Sequence, residues 1–376
     1  MLKITHEKKK ICIISHFGYP LYNKKCKAES FGGGAAVQLY LLSNAFTRYR
    51  DLDINIITGN YKCNKRKIEV LNGLKLYKVL PLKKTPLNII KYIFIFFIYL
   101  FRINPDIVIQ RAADVPTGLC AFYCKLAKKK FIYSIANEPD VNGTAEKGFL
   151  GKIYKYGIDN AYYIIAQNND QITQLKKHKK KEISNIKVIS SGYEITEIGE
   201  KNKNDILWVS RCRPWKRPEL FLKLARVFPK ENFVIICTKT SDEEYWRKIR
   251  KSALKISNVK FLDFIPFHQI NRYFREAKVF INTSVFEGFP NTFIQALKNK
   301  TPIISLNVNP DNFLTRKKIG FFCNDDFTKL EEYLRLLINS NDLYELYSKN
   351  AYLYAKNNHD IRKISYEWIK LIKQIS

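Results

Sequence analysis

The chain is poor in acidic residues and in long apolar runs. Its 376 residues include 34 Asp and Glu against 65 Lys and Arg, so the formal net charge is +31. Residues 93–101 are nine apolar residues in a row, and Tyr92 extends the run to ten, whereas a membrane-spanning helix needs roughly 20. Residues 1–10 are polar, and the apolar run 11–14 is too short for the core of a secretory signal. We therefore expect neither a transmembrane helix nor a secretory leader.

The cysteines lack the spacing of a metal site. None of the eight forms a C-x-x-C pair, and they stand at positions 12, 26, 63, 120, 124, 212, 237 and 323. Because this spacing fits no zinc site and no secretory signal is recognised, a disulfide framework is not indicated. We expect free thiols in a reducing cytosol, and we expect no metal and no other cofactor.

The composition is that of a folded protein with two domains. Hydrophobic residues make up 46% and charged residues 26%, as in globular proteins, and the chain is too long for one common core. The positive charge fits a nucleic acid, an anionic membrane surface or a phosphorylated substrate. It is spread over both halves and accompanies no recognised nucleic-acid-binding motif, so we expect no nucleic-acid partner.

The most informative stretch runs from residue 277 to residue 306. An apolar strand over 277–282 precedes a Gly- and Pro-containing loop, a helix and a second strand. Pro290 suits the first position of the helix, where its missing N–H would be unpaired anyway. The N–H groups of Asn291 and Thr292 would then form an anion site at the helix start, suited to a diphosphate.

The loop before this helix adds an acid and a glycine. Gly288 lets a ligand approach the backbone closely, and the carboxylate of Glu287 can accept hydrogen bonds from hydroxyl groups. The stretch therefore predicts a site for a diphosphate joined to a polyol at the carboxyl end of a parallel strand. The alternative is an ordinary strand–helix unit with a chance acid.

A second basic motif follows the strand predicted over 206–210. Arg211 and Lys216 stand five residues apart on the loop before a helix predicted over 219–228. An arginine fork and a lysine ammonium at this spacing can hold two phosphate oxygens. The alternative is a basic surface loop.

Polar and glycine residues also follow predicted strands of the first half. Parallel strands end at one edge of a sheet, so the polar residues are expected to converge on one cleft, or else to serve as caps and turns. The polar candidates for this cleft are His16, Arg111, Asn137 and Glu138. Gly33 and Gly34 instead belong to a Gly-rich loop between the first strand and a helix, and they could let that loop approach a ligand diphosphate. The alternative for the glycines is a flexible turn.

Residues 87–101 predict a helix that is apolar on all sides. Such a helix is usually buried, and we expect burial here. The alternative is a helix that enters the interface of a membrane, helped by Lys83, Lys84 and Lys91.

The stretch from Glu287 through Phe289 to Leu297 resembles the signature of glycosyltransferase family 4, in which two acids lie eight positions apart. Glu287 matches the first acid, whereas Gln295 replaces the second. Arg211 and Lys216 match the pair that contacts the donor diphosphate in that family. The resemblance covers nearly the whole chain and is strongest over 206–306.

The resemblance implies an α/β GT-B fold with two Rossmann-like domains whose parallel sheets face an interdomain cleft. It assigns residues 1–194 to an acceptor-binding domain, 195–355 to a nucleotide-sugar-binding domain, and 356–376 to a helix that crosses back to the first domain.

The resemblance further implies a retaining hexosyltransferase-type enzyme of bacterial surface-polysaccharide synthesis. It would use a saccharide or lipid-linked saccharide acceptor and work in the cytoplasm, peripherally on an anionic membrane. Arg211, Lys216 and Glu287 would be catalytic. The implied donor contacts are Gly33, Gly34, Arg211, Lys216, Ile265, Glu287, Gly288, Phe289, Pro290, Asn291, Thr292 and Gln295. Gln295 leaves one alternative open, a catalytically inactive subunit that binds sugar nucleotides or a partner enzyme.

Overall fold

The computed structural model describes residues 8–26, 32–63, 66–82, 85–197, 199 and 203–375. The chain divides into two compact units. The N-terminal unit contains the residues up to Gly192 together with those from Ile361 onward, and the C-terminal unit spans Tyr193–Asp360.

The N-terminal unit is built on an eight-stranded sheet. Its strands are β1 (Lys9–Ile14), β2 (Leu52–Gly59), β3 (Ile68–Leu71), β4 (Leu74–Leu80), β5 (Ile107–Arg111), β6 (Lys130–Ser134), β7 (Tyr163–Ala166) and β8 (Ile186–Val188). They lie in the order β3-β4-β2-β1-β5-β6-β7-β8, and only the β3–β4 pair is antiparallel. The helices between them are α1 (Tyr19–Tyr22), α2 (Gly33–Phe46), α3 (Pro86–Ile103), α4 (Val115–Leu126), α5 (Gly148–Asp159) and α6 (Asn169–Lys179).

Strand β1 shows why this sheet is covered on both faces. Side chains alternate between the two faces of a strand, and all four of the last residues of β1 are buried. Ile11 and Ile13 join the core cluster on one face, whereas Cys12 and Ile14 join the cluster on the other. A continuous apolar strand of this kind is typical of a parallel sheet with helices on both sides.

The C-terminal unit repeats this architecture with six parallel strands. They are β9 (Asp205–Arg211), β10 (Asn232–Thr238), β11 (Val259–Leu262), β12 (Ala277–Asn282), β13 (Ile303–Ser305) and β14 (Gly320–Phe322). Their order is β11-β10-β9-β12-β13-β14. The helices are α7 (Pro218–Val227), α8 (Glu243–Ala253), α9 (Phe267–Glu276), α10 (Asn291–Leu297), α11 (Phe313–Arg316), α12 (Phe327–Asn339) and α13 (Asn341–Asn358).

The last helix, α14 (Ile361–Gln374), belongs to the N-terminal unit. It packs on α2, where the rings of Phe46 and Trp368 lie 6.4 Å apart. Ile369 and Ile372 of α14 are buried in the same cluster as the β1 residues Ile11 and Ile13. The terminal segment thereby completes the core on this face of the N-terminal sheet.

The expectation that every cysteine is a free thiol is wrong for one pair. Cys26 and Cys63 form a disulfide across 37 residues of sequence, whereas the other six are free and buried. The chain fold brings together the segments after α1 and after β2, and sequence spacing does not show that proximity. The cysteine pattern therefore no longer supports a reducing compartment.

The expectation that the apolar helix is buried on all sides is also wrong. This helix is α3, and only one of its sides packs on the sheet, through Phe96, Leu100 and Ile103. Its opposite side is exposed, with Phe94 at 66% of its full accessible surface. Of the helices within the described ranges, none is long and apolar enough to cross a membrane. Lys83 and Lys84 lie outside the described residues.

Candidate active site

The predicted donor residues of the C-terminal unit gather at the carboxyl edge of its sheet. Strands β9 and β12 are neighbours and parallel, with Leu207 paired to Phe280. Arg211 is the last residue of β9, and β12 ends at Asn282. The strand order changes direction between β9 and β12, and in open α/β sheets this switch point is where ligands bind.

Lys216 and Glu287 form an ion pair at this edge. Lys216 ends a short 3₁₀ helix, Pro214–Lys216, that follows β9. The side chains of Lys216 and Glu287 are only 14% and 16% exposed, and Glu287 Oε1 also accepts a hydrogen bond of 3.0 Å from Ser284 Oγ. The carboxylate and the ammonium are therefore held in a defined position rather than free on the surface.

Backbone contacts tie the loop after β9 to the loop after β12. The N–H of Val285 donates to the carbonyl of Trp215 at 2.8 Å, and Thr283 Oγ1 donates to the carbonyl of Lys216 at 2.6 Å. In the opposite direction, Arg217 Nε donates to the carbonyl of Thr283 at 2.7 Å. Three hydrogen bonds thus hold the two loops at a fixed separation.

An aromatic pair that the sequence analysis missed borders the ion pair. Trp215 and Phe286 stack with ring centroids 6.1 Å apart and planes inclined by 11°. The guanidinium of Arg213 lies 5.7 Å from the Trp215 ring centroid. The sequence does contain a hint of this pair, because Trp215 immediately precedes Lys216 and Phe286 immediately precedes Glu287.

Arg211 supplies a second predicted cation at the same edge. Partial desolvation lowers the pKa of its guanidinium, the neighbouring Arg213 lowers it further, and Glu287 raises it. An arginine guanidinium stays charged at neutral pH in proteins. Arg211 and Lys216 therefore place two positive charges near one carboxylate, which is suited to an anionic ligand with hydroxyl groups.

The predicted helix after the loop exists as α10, but it begins one residue later than expected. Pro290 is the N-cap, and Asn291 is the first helical residue. Pro290 lies outside the helix because its ψ of 126° is that of extended backbone. Gly288, Phe289 and Pro290 are buried, and Asn291 and Thr292 are half-buried.

Two further predicted donor residues lie in the same unit. Gln295 is in the third-to-last position of α10 and is 6% exposed. Ile265 is half-buried in the loop between β11 and α9. Because β11 is separated from β9 by β10, Ile265 lies two strands away from Arg211 along the carboxyl edge.

The predicted acceptor-side residues of the N-terminal unit follow three adjacent strands. His16 comes after β1, Arg111 ends β5, and Asn137 and Glu138 follow β6. They therefore lie along one edge of the sheet.

His16 and Arg111 both have structural partners in the fold. His16 Nε2 is 3.0 Å from the carbonyl oxygen of Pro81. The guanidinium of Arg111 donates to Ser134 Oγ at 2.8 Å and to Ser191 Oγ at 3.1 Å. Burial lowers the pKa of Arg111 to about 10, while Asp140 opposes that change.

Asn137 and Glu138 lie in the same turn as a buried acid, Asp140, that the sequence analysis did not single out. Asp140 accepts hydrogen bonds from the N–H of Ala136 at 2.8 Å and from Tyr133 Oη at 3.0 Å. Burial raises the pKa of Asp140, and these hydrogen bonds oppose the rise. Asp140 orders the turn that carries Asn137, which is exposed, and Glu138, which is half-buried.

The predicted glycine loop is the first turn of a helix. Gly33 and Gly34 begin α2, and Gly33 has a φ of +73°. That left-handed conformation is accessible to glycine and strained for most other residues. Within the described residues, no group of three or more His, Cys, Asp and Glu side chains could hold a metal ion.

The comparisons with known proteins define the class. Residues 194–354, which contain the predicted donor residues of the C-terminal unit, match the family model of glycosyl transferases group 1. The two units with parallel sheets are those of solved GT-B glycosyltransferases. The protein is therefore a glycosyltransferase with the GT-B fold.

Two curated relatives come from Methanocaldococcus jannaschii. The uncharacterized glycosyltransferase MJ1069 is 24% identical over 91% of this chain and 95% of its own length. The uncharacterized glycosyltransferase MJ1059 is 24% identical over 58% of this chain, and the alignment spans only 60% of that protein.

Solved structures match over almost the whole chain. The sucrose-phosphate synthase of Thermosynechococcus elongatus has a TM-score of 0.80 at 14% identity and covers 98% of this chain and 99% of its own. Anabaena HepE, solved with UDP-glucose, has a TM-score of 0.74 at 15% identity over 97% and 99% of the two chains. The lipopolysaccharide glycosyltransferase WaaG has a TM-score of 0.68 at 14% identity over 96% and 99%. At these identities the structural likeness shows the fold alone.

Proposed function

We propose that this glycosyltransferase belongs to family 4 and moves a sugar, with retention of anomeric configuration, from a nucleotide-sugar donor to a saccharide acceptor. The observation that carries the proposal is the ion pair of Lys216 and Glu287 beside Arg211, at the switch point of the C-terminal sheet. Two cations suit a diphosphate, and one carboxylate suits the hydroxyl groups of a sugar. The description of HepE in complex with UDP-glucose supports a nucleotide sugar as donor.

The reaction requires stabilisation of the leaving group. Transfer breaks the bond between the anomeric carbon and the diphosphate oxygen, and negative charge grows on that oxygen. In the proposal, Arg211 and Lys216 stabilise this charge electrostatically. No side chain acts as a nucleophile. The acceptor oxygen bonds to the anomeric carbon on the face from which the diphosphate leaves, and the departing phosphate takes the proton of that hydroxyl. The proposed reaction uses no metal and no other cofactor.

Lys216 can bind the donor diphosphate while it keeps its ion pair with Glu287. Its ammonium has three N–H donors, so one can remain on the carboxylate while another binds a phosphate oxygen. Glu287 keeps its hydrogen bond from Ser284 and has a second oxygen to accept from a sugar hydroxyl. The preformed pair would thereby orient the donor sugar relative to its leaving group.

The remaining proposed donor contacts come from both units. Gly288, Phe289 and Pro290 offer backbone close to the ligand, and Asn291 and Thr292 begin α10. Further proposed contacts are Gln295 to the ribose, Ile265 to the base, and Gly33 and Gly34 to the diphosphate.

The proposed acceptor is a saccharide carried on a lipid, and the proposed pathway is synthesis of a surface polysaccharide such as capsule, O-antigen or exopolysaccharide. The description of WaaG as an enzyme of lipopolysaccharide biosynthesis supports this choice. His16, Arg111, Asn137 and Glu138 are the proposed acceptor-side residues. A lipid-linked acceptor requires a peripheral location at a membrane, which we place on the cytoplasmic face of an anionic bilayer. We propose no nucleic-acid partner.

A screen of nucleotide sugars tests the proposal. The true donor should raise the melting temperature of the purified protein, because a ligand that binds only the native state stabilises it. Transfer from that donor should then give a product with the donor's anomeric configuration, read from the proton coupling constant in an NMR spectrum. An inverted product would exclude retention, and a protein that neither binds nor cleaves any nucleotide sugar would overturn the proposal.

A further inference from the structure

The outer side of α3 presents an exposed apolar face. We define the apolar face as Leu87, Ile90, Phe94, Ile98 and Phe101, whose spacing of three and four residues places them on one side of a helix. Each exposes between 52% and 75% of its full accessible surface. The helix has 18 residues and is therefore about 27 Å long, so these side chains form an extended stripe.

Helix α4 extends the apolar surface. Phe122 and Leu126, four residues apart on α4, are 52% and 62% exposed. Ring contacts join the two helices, with Phe97 5.9 Å from Phe122 and Phe101 5.1 Å from Tyr123. The exposed apolar side chains of α3 and α4 thus belong to one continuous surface rather than to scattered positions.

The apolar face is not needed to fold the helix. The opposite side of α3 buries Phe96 and Leu100 completely and joins the core with Cys12 and Ile14 of β1. These contacts fix α3 on the sheet. A large apolar surface that the core does not use marks an interaction site.

The charges around the apolar face are predominantly positive. Lys91 and Arg102 are exposed on α3 itself, and Lys125 is exposed beside Leu126. Helices α3 and α4 contain no Asp or Glu. On the adjacent α5, the acid Asp159 is paired with Lys155. Two copies of this surface would bring like charges together, whereas a bilayer with anionic lipids offers both apolar chains and opposite charge.

We propose that the apolar face of α3, with Phe122 and Leu126 of α4, binds the surface of a bilayer that contains anionic lipids. The apolar side chains enter the interface, while Lys91, Arg102 and Lys125 contact headgroup phosphates. This inference rests on the proposed function in one respect, because a lipid-linked acceptor would be reached from that surface. It assigns the membrane contact to named residues that lie outside the proposed donor site.

Vesicle co-sedimentation with the full chain tests the proposal. The probes are vesicles of phosphatidylcholine alone and vesicles that also contain phosphatidylglycerol. We expect wild-type protein to prefer the anionic vesicles and to bind them less as salt is added, because exposed charges are screened. The variant Phe94→Glu/Ile98→Glu should lose at least about tenfold in vesicle affinity, since it moves two carboxylates into the interface. Lys91→Gln/Arg102→Gln should reduce the preference for anionic over neutral vesicles.

Two controls distinguish the membrane proposal from a nonspecific effect of added charge and from the proposed function. Leu254→Glu changes an equally exposed apolar residue, 65% accessible, at the end of α8, and should bind vesicles like wild type. Binding of the nucleotide sugar in solution, followed by calorimetry, should be unchanged in Phe94→Glu/Ile98→Glu. Loss of vesicle binding with intact donor binding supports the proposal, whereas absent donor binding in wild type contradicts the proposed function alone.

Three results would overturn the membrane proposal. The first is wild-type protein that binds neither kind of vesicle. The second is a Phe94→Glu/Ile98→Glu variant that binds anionic vesicles as tightly as wild type. The third is a wild-type dimer in sedimentation velocity that this variant converts to monomer, which would assign the apolar face to self-association.

Discussion

The ion pair of Lys216 and Glu287 allows a quantitative prediction about the leaving group. Lys216→Ala removes one of the two cations proposed to face the diphosphate. A single electrostatic stabiliser of this kind is commonly worth about 10²–10³ in rate. We therefore expect turnover to fall by about two orders of magnitude, which corresponds to about 2.7 kcal/mol of transition-state free energy. Arg211→Ala should have an effect of the same size.

The same substitution should leave the protein folded. Lys216→Ala breaks an ion pair whose side chains are mostly buried, but Ser284 Oγ still donates to the Glu287 carboxylate. The carboxylate is therefore not left without a hydrogen-bond donor. We expect the free energy of unfolding to decrease by about 1–3 kcal/mol. A protein of ordinary stability stays folded after such a loss, so unfolding would not explain a hundredfold loss of turnover.

Turnover at saturating donor and urea unfolding, measured on the same preparations, separate these two effects. The matched control is Arg247→Ala, which removes a cation from another ion pair of the C-terminal unit, 3.0 Å from Glu243 on α8. It should keep wild-type turnover. Lys216→Arg should recover part of the activity, because it restores the charge with a different shape. Turnover within threefold of wild type in both Arg211→Ala and Lys216→Ala would refute the proposed role.

Three further predictions concern Gln295, the disulfide and Lys203. Gln295→Ala should weaken donor binding in calorimetry more than Gln295→Glu, which should change the affinity less than tenfold; an unchanged affinity in Gln295→Ala would remove Gln295 from the site. Replacing Cys26 and Cys63 by serine should leave a folded protein that is about 2–4 kcal/mol less stable to urea, and equal stability would argue against the disulfide. Burial lowers the pKa of Lys203 from 10.5 to about 7, so the unfolded state binds more protons between these values and stability should rise with pH across that window. Lys203→Met should reduce this rise, and an unaltered pH profile would contradict the lowered pKa.

The architecture of the C-terminal unit could be predicted from sequence because its signals are local. The predicted strand over 277–282 is β12, with the same bounds. The predicted strand over 206–210 lies within β9, and α7 follows from Pro218. In both cases a short apolar run ends at turn residues and a helix follows. The GT-B fold expected from the resemblance is confirmed by solved structures that match nearly the whole chain.

Strand β3 was missed although its sequence carries a signal. Asn72 and Gly73 both have positive φ, at 50° and 81°, and they connect β3 to β4. An Asn-Gly pair between two short strands is the strongest short-range sign of a hairpin. The strand before it, Ile68–Leu71, has only four residues, too few for its alternation to be recognised alone.

The environment of α3 could not be predicted from its own residues. Phe94 and Phe96 are identical side chains two positions apart, yet Phe94 is 66% exposed and Phe96 is fully buried. Periodicity cannot separate the two sides of a helix that is apolar all round. Only the neighbouring sheet decides which side is buried, and that neighbour is set by the tertiary fold.

The proposed catalytic centre depends both on local sequence motifs and on contacts that only the tertiary fold creates. Each of its loops carries a recognisable residue, but Lys216 and Glu287 are 71 positions apart in sequence, and no local pattern shows that they form an ion pair. Lys216 and Glu287 are brought together because β9 and β12 are adjacent. The hydrogen bond from Val285 to Trp215 and the stack of Trp215 on Phe286 connect the two loops. These contacts join residues within two positions of Lys216 and Glu287. The two loops therefore act as one preorganised element, and preorganised charge is what stabilisation of a leaving diphosphate requires.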